Sequence, residues 1–165
     1  MTTPLNVLFL CTHNSARSIL AEALLNHLGA GRFKAYSAGS SPRENQKPQP
    51  LALTLLQEAG VSTEGLRSKS WDEFASPTAP TMDLIITVCD NAAGEVCPIW
   101  PGHPATAHWG YPDPSEVEGS EADRRAAYRG TLQAIRSRLE MLVGLPPERL
   151  DKLRVQQSAR DLASK

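Results

Sequence analysis

The chain has 165 residues, of which 17 are Lys or Arg and 18 are Asp or Glu, for a formal net charge of -1. This length suits one domain with its own core, and the balanced charge argues against a nucleic-acid or anionic-membrane partner. The apolar run that ends at Cys11 has no basic segment before it and is too short for a signal sequence or a membrane span. We therefore expect a cytoplasmic protein, and a monomer.

Strands and helices are predicted to alternate along most of the chain. Predicted strands cover residues 6–12, 33–37, 82–89 and 105–110, and predicted helices cover residues 15–28, 49–59 and 120–143. The first strand is apolar throughout, which is typical of a strand buried on both faces of a parallel sheet. The alternation predicts an α/β fold with a parallel sheet. We expect residues 1–145 to form this single domain and residues 146–165 to form a peripheral helix or a tail.

The junction of the first strand and the first helix carries the segment CTHNSARS, Cys11 to Ser18. The backbone amides and partial positive charge at a helix N-terminus allow the preceding loop to wrap a tetrahedral oxyanion. Arg17 adds a planar, permanently charged fork that matches two oxygens of such an ion. The same field should favour the thiolate form of Cys11, which would make it a nucleophile aimed at the bound ion.

Every residue of the oxyanion loop is a candidate for substrate binding, mainly through the backbone. These residues are Thr12, His13, Asn14, Ser15, Ala16, Arg17 and Ser18. We expect Ser18 to donate its hydroxyl hydrogen to the Cys11 sulfur, Asn14 to bridge loop backbone groups, and His13 to lie at the rim. The alternative is a structural cysteine beside a surface arginine, because the spacing C-x5-R often arises by chance. Its position between a strand and a helix favours the oxyanion loop.

The segment CTHNSARS lies between a predicted strand and a predicted helix, and YSAGSSP follows the second strand. Together they resemble the phosphate-loop region of the low-molecular-weight protein tyrosine phosphatase fold. The resemblance runs from Val7 to the last long helix. It implies a four-stranded parallel sheet in the order 2-1-3-4 with helices on both faces. It also implies a late Asp-Pro pair that supplies a general acid, and Asp113 with Pro114 occupies that place. Without the loop, Asp113 would be taken for an ordinary turn residue.

The three cysteines are an odd number for a disulfide framework, which favours reactive thiols or metal ligation. Cys89 ends the third predicted strand and Cys97 follows in a loop, near the sheet edge where Cys11 lies and where ligands of such sheets bind. This arrangement resembles the arsenate reductases of the phosphatase fold, most closely the thioredoxin-coupled type, which use a relay of three thiols. HWGYPDP is also similar to their version, and Ser115 and Glu116 follow the Asp-Pro pair where phosphatases of the family usually carry aromatic residues.

The resemblance implies that Cys11 attacks arsenate held by the loop and Arg17, while Asp113 protonates the departing oxygen. Cys89 then attacks Cys11, arsenite leaves, and Cys97 attacks Cys89. An external reductant, thioredoxin or a glutathione and glutaredoxin couple, would restore the thiols, and no bound cofactor is expected. The alternative is a phosphatase that hydrolyses phosphotyrosine or another phosphomonoester, because the same loop serves both reactions.

Two sets of residues in the sequence could form a metal site. Two thiols and two imidazoles that zinc would accept are spaced C-x7-C-x5-H-x4-H, namely Cys89, Cys97, His103 and His108, although zinc knuckles usually have closer cysteine pairs. Some members of the resembled family hold potassium beside the loop, and Asn14, Glu22 and Ser37 match that pattern. Ser70 stands where an aspartate would be expected, however, and Lys69 can supply the charge instead. We therefore expect no bound metal.

Overall fold

The computed structural model describes residues 4–40, 42, 44–76, 78–88, 105–112, 114 and 117–146. Within this part of the chain there are four strands, β1 (Leu5–Cys11), β2 (Phe33–Gly39), β3 (Leu84–Thr87) and β4 (Ala105–His108). The helices are α1 (Arg17–Leu28), α2 (Pro50–Glu58), α3 (Asp72–Ala75) and α4 (Glu121–Val143). The strands form one parallel sheet in the order β2-β1-β3-β4, which confirms the predicted fold class.

β1 lies inside the sheet, and its alternating side chains enter two separate hydrophobic clusters. Phe9 and Cys11 belong to the larger cluster, which includes the buried sides of α1, α2 and α4. Leu8 and Leu10 belong to the smaller cluster, which includes Phe74 of α3. Because both faces of β1 are covered, the strand needs a continuous apolar sequence, and this is the pattern that predicts it.

Parallel pairing brings the carboxyl ends of all four strands to one edge of the sheet. Cys11 pairs with Gly39, and Leu10 pairs with Thr87. Thr87 in turn pairs with His108 on β4. The oxyanion loop, the end of β2 and the segment after β4 therefore meet at this edge.

The structure differs from the predicted elements mainly at their ends. α1 begins at Arg17 instead of residue 15, because residues 12–16 form the loop. The helix α3 was not predicted, since four residues are too few to show helical periodicity. The predicted tail lies outside the described residues from residue 147 onward, and the domain boundary at 145 stays a prediction. None of the helices in the described ranges is long and apolar enough to cross a membrane.

Candidate active site

Cys11 is the last residue of β1, and its side chain is 4% exposed. Its main-chain oxygen accepts a hydrogen bond of 3.0 Å from the N–H of Ser40, which follows β2. Residues 12–16 then form the loop that leads into α1. The thiol is thus placed at the base of the loop, where the sequence predicts the nucleophile.

Within the described residues, α1 lacks the capping side chain and the acidic first-turn residues that usually stabilise a helix N-terminus. Among the described residues, no side chain caps it; the N-cap is Ala16, and its first turn contains no acidic residue. The N–H groups of the first turn and the positive end of the helix dipole are therefore directed at the loop. An oxyanion in the loop would supply acceptors and negative charge at this end of the helix.

Asn14 connects the loop to three other segments. It is fully buried, and its backbone has a left-handed φ of 57°, which asparagine tolerates better than most residues. Nδ2 donates to Ser18 Oγ at 2.8 Å and to Ser37 Oγ at 2.9 Å. Oδ1 accepts from the main-chain N–H of Lys69 at 3.0 Å. The side chain thereby fixes the loop against α1, β2 and the segment before α3.

The Ser18 hydroxyl accepts this bond from Asn14, so its own hydrogen is directed to a different acceptor. That geometry is compatible with donation to the Cys11 sulfur, which stays a prediction.

Other contacts to the loop involve residues that sequence reasoning missed. Ser68 Oγ donates to the main-chain oxygen of Asn14 at 2.6 Å, and the N–H of Gln49 donates to the oxygen of Ser15 at 2.7 Å. A Cβ placed on Gly39 would lie 2.7 Å from the Thr12 oxygen, so β2 can approach the loop this closely only with glycine there. YSAGSSP contains this glycine, but no local pattern indicates which backbone it meets.

A buried ion pair lies beside Asn14. Lys69 is 9% exposed, and its Nζ lies 3.7 Å from Glu22 Oε1 and donates to the Arg67 oxygen at 2.9 Å. Ser37 donates its hydroxyl to the same Glu22 oxygen. Burial raises the pKa of Glu22 and lowers the pKa of Lys69, and in each case the charge of the partner opposes the shift. The two groups therefore stabilise each other's charged form beneath the loop.

Ser70 stands where the resemblance predicts an aspartate, and its contacts are with Gly39 and Asp72. It forms an isolated parallel bridge with Gly39, and its Oγ accepts a hydrogen bond from the N–H of Asp72 at 3.2 Å. A positive charge beside Glu22 comes instead from the ammonium of Lys69, 3.7 Å from Glu22 Oε1.

The segment after β4 reaches Arg17. Arg17 Nη1 donates to the main-chain oxygen of Tyr111 at 3.0 Å, and the Tyr111 N–H donates to the Val88 oxygen at 3.3 Å. At the end of β4, His108 Nδ1 and Thr87 Oγ1 share a hydrogen bond of 2.6 Å. These bonds hold the segment that leads to Asp113 against the loop side of the sheet.

Three predicted catalytic residues, Cys89, Cys97 and Asp113, lie outside the described residues, and their roles stay predictions. The residue before Cys89 is nevertheless in place: the Val88 N–H donates to the oxygen of Leu10, the residue before Cys11, at 2.8 Å. The zinc alternative is untested, because three of its four residues also fall outside. Within the described ranges, no cluster of three or more His, Cys, Asp or Glu side chains could hold a metal ion.

Comparison with known proteins adds a family and several relatives. The sequence profile described as low molecular weight phosphotyrosine protein phosphatase matches residues 6–157. An arsenate reductase of Bacillus subtilis is 32% identical over 134 residues, which cover 81% of this chain and 91% of that protein.

Two solved structures show the same similarity in three dimensions. The crystal structure of an arsenate reductase from Archaeoglobus fulgidus has a TM-score of 0.64 at 32% identity, covering 84% of this chain and 99% of its own. A thioredoxin-dependent arsenate reductase from Corynebacterium glutamicum has a TM-score of 0.60 at 28% identity, covering 86% of this chain and 62% of its own.

Proposed function

The chain belongs to the low-molecular-weight phosphotyrosine protein phosphatase family, and we propose that within this family it is an arsenate reductase. The observation that carries the proposal is the buried Cys11 thiol at the base of a loop that opens onto the uncapped start of α1. A tetrahedral oxyanion suits this site, and the relatives named above, at about one third identity, favour arsenate as that oxyanion.

In the first step, the Cys11 thiolate attacks arsenic(V), and a sulfur–arsenic bond forms. The loop N–H groups and Arg17 hold the arsenate oxygens, and they neutralise the charge that develops on them. One oxygen leaves as water after taking a proton from Asp113, the general acid of this proposal. Asp113 follows Tyr111 by two residues, and the contact of Tyr111 with Arg17 supports its assignment to this site.

In the second step, Cys89 attacks the sulfur of Cys11, so that a disulfide forms and the sulfur–arsenic bond breaks. The electron pair of that bond passes to arsenic, which leaves as arsenite in the trivalent state. Cys97 then attacks Cys89 and releases the Cys11 thiolate. The hydrogen bond between Val88 and Leu10 supports this sequence, since each of these residues precedes one of the first two cysteines.

Two electrons must enter from outside to reduce the Cys89–Cys97 disulfide. A dithiol protein such as thioredoxin can supply them by thiol–disulfide exchange, and the relative from C. glutamicum favours this partner over glutathione and glutaredoxin. We also propose that the site works without a bound metal, because Lys69 provides the positive charge beside Glu22.

The test is arsenate-dependent NADPH consumption with thioredoxin and thioredoxin reductase, run in parallel with glutathione, glutaredoxin and glutathione reductase. We expect steady turnover for the unmodified protein and none for Cys11→Ser, Cys89→Ser or Cys97→Ser. Without added reductant, Cys97→Ser should still release one arsenite per chain, whereas Cys89→Ser should release none. The couple that sustains turnover identifies the reductant.

A phosphatase is the competing function, because the family profile carries that description and phosphate is a tetrahedral oxyanion like arsenate. Hydrolysis of an aryl phosphate that needs Cys11 but neither Cys89 nor Cys97, together with no arsenate turnover in either couple, would contradict the arsenate reductase proposal.

A further inference from the structure

Tyr111 lies between the oxyanion loop and the last helix, and the proposed reaction gives its side chain no role. Its main-chain oxygen holds Arg17 Nη1 at 3.0 Å, while its side chain is only 8% exposed. A guanidinium has five N–H donors in one plane, so a fixed acceptor on one side orients the whole group. The Tyr111 carbonyl is therefore one of the groups that orient Arg17 toward an oxyanion in the loop.

Arg138 of α4 covers the ring of Tyr111. The guanidinium carbon lies 5.0 Å from the ring centroid, within the range of a cation–π contact. Among the described residues, neither the Tyr111 hydroxyl nor Nη1 of Arg138 has a hydrogen-bond partner, although both atoms are buried. Burial raises the pKa of the Tyr111 hydroxyl and the nearby guanidinium of Arg138 opposes that shift, so Arg138 lies close to the hydroxyl as well as over the ring.

The contact connects α4, which is anchored in the core, to a segment that borders an open pocket. On α4, Ile135 and Leu139 beside Arg138 are fully buried in the larger core cluster. Tyr111 belongs to the same core cluster, but beside it an open pocket of about 320 Å³ lies between the segment after β4 and α4. Its lining combines residues of both elements, namely Tyr111, Pro112, Pro114, Ala127, Gly130 and Thr131. Without the Arg138 contact, the segment could shift into this space and carry the Tyr111 carbonyl away from Arg17.

We propose that Arg138 is a positioning residue for the oxyanion site: it holds the ring of Tyr111, whose carbonyl orients the guanidinium of Arg17. The proposal deepens the proposed function, and it rests on that function only in requiring that the loop bind a tetrahedral oxyanion. Loss of Arg138 leaves every loop residue in the chain but lets Arg17 sample orientations that do not bind the ion. Oxyanion affinity then falls, because binding must reorder the guanidinium.

Phosphate can serve as the probe, since its binding next to Cys11 slows alkylation of that thiol by iodoacetamide. Peptide mass spectrometry reads the modification of Cys11 separately from the other cysteines, and the phosphate dependence of the rate yields a dissociation constant. We expect Arg138→Met to raise this constant about five- to tenfold, and Arg138→Lys, which retains a cation, to stay within about twofold of the unmodified protein. Arg136→Met is the matched control, because Arg136 lies on the same helix and pairs with Glu140.

Substitutions of Tyr111 test the same connection from the other side, and they keep the proposal testable if Arg138→Met does not fold. Tyr111→Phe keeps the ring face that Arg138 covers and should bind phosphate more tightly than Tyr111→Leu, which should lose affinity as Arg138→Met does. A lower melting temperature with an unchanged phosphate constant would mean that Arg138 is merely structural and would overturn the inference. So would an equal loss of affinity in Arg138→Lys and Arg138→Met.

The two proposals fail in different ways in this experiment. If phosphate and arsenate both leave Cys11 alkylation of the unmodified protein unchanged, the loop does not bind oxyanions and the proposed function fails with it. If they protect Cys11 equally well in the unmodified protein and in Arg138→Met, only the role of Arg138 is wrong.

Discussion

Gly39 touches the backbone of the oxyanion loop, and it is the residue at which the smallest possible substitution should disturb the site. An added Cβ would lie 2.7 Å from the Thr12 oxygen and 3.0 Å from the carbonyl carbon of His13. Because both are backbone atoms, relief requires the loop itself to move. We expect Gly39→Ala to lower the free energy of unfolding by about 1 to 3 kcal/mol, as overpacking usually does. Phosphate protection of Cys11 should weaken in the same variant, and urea denaturation measures the stability.

Gly130→Ala is the matched control for this substitution. Gly130 lies within α4, and a Cβ there would have no neighbour within 4 Å. Since alanine favours a helix interior, this variant should gain about 0.5 to 1 kcal/mol and bind phosphate normally. If both variants changed the free energy of unfolding in the same direction, the close contact between Gly39 and the loop would not be the reason that residue 39 must be glycine.

Glu22 should make stability depend on pH. Burial raises the pKa of Glu22 above its ordinary value of 4.5, against the opposing effects of Lys69 and Ser37. The folded protein thus holds this proton more tightly than the unfolded chain, so the contribution of Glu22 to stability falls as pH rises from 4.5 through the folded pKa. Glu22→Gln keeps the acceptor for Ser37 but cannot titrate. Its free energy of unfolding, measured in urea at several pH values, should decline less over this range than that of the unmodified protein.

Glu73→Gln should have the opposite effect on the pH dependence. The hydrogen bond with Arg67 lowers the pKa of Glu73, so its contribution is present above the ordinary value of 4.5 and is lost as pH falls. The effect should be small, since both side chains of this pair are largely exposed.

Identical pH dependence in Glu22→Gln and the unmodified protein would contradict the burial of a titrating carboxyl at residue 22.

At the scale of elements, the two long helices begin in different ways. α4 has a complete capping box, in which the Asp123 N–H donates to Ser120 Oγ and the Ser120 N–H donates to Asp123 Oδ2, both at 3.1 Å. The N-cap of α1 is Ala16, and no side chain caps this helix among the described residues. The chain completes the start of α4 by itself, whereas the start of α1 is suited to an external oxyanion.

The capping box gives a prediction that separates stability from oxyanion binding. Ser120→Ala removes the acceptor for Asp123 and should cost about 1 kcal/mol, which thermal unfolding would detect. Phosphate protection of Cys11 should not change, because the box belongs to α4 alone. Ser137→Ala, on the exposed side of the same helix, should leave stability nearly unaltered. A loss of phosphate affinity in Ser120→Ala would show that the start of α4 acts on the site.

At the scale of the whole molecule, the fold could be predicted where the signal is local or repetitive. The apolar run 6–12 predicts β1, observed as Leu5–Cys11, and the periodic stretch 120–143 predicts α4, observed as Glu121–Val143. The sheet order came from the resemblance of CTHNSARS and its surroundings to a known family, because no single strand encodes its neighbours. α3 was missed, since its four residues carry no period.

The candidate site likewise has residues that the sequence predicts and contacts that it does not. Cys11 and Arg17 could be identified because their spacing and their place between a strand and a helix are visible in one segment. The contacts from Ser68 and from the Tyr111 carbonyl could not be predicted, because they join residues 54 and 94 positions apart and both use a main-chain oxygen as the acceptor. Such an oxygen has no signature in the sequence, and only the folded chain shows which one a guanidinium reaches.

The most direct test of the central claim is a single turnover without external reductant. The fully reduced protein would be mixed with excess arsenate, quenched, alkylated and analysed by peptide mass spectrometry alongside a measurement of arsenite. The account predicts one arsenite per chain, a disulfide between Cys89 and Cys97, and an alkylated Cys11. Arsenite absent with all three cysteines recovered as alkylated thiols, or arsenite formed while Cys89 and Cys97 stay reduced, would contradict it.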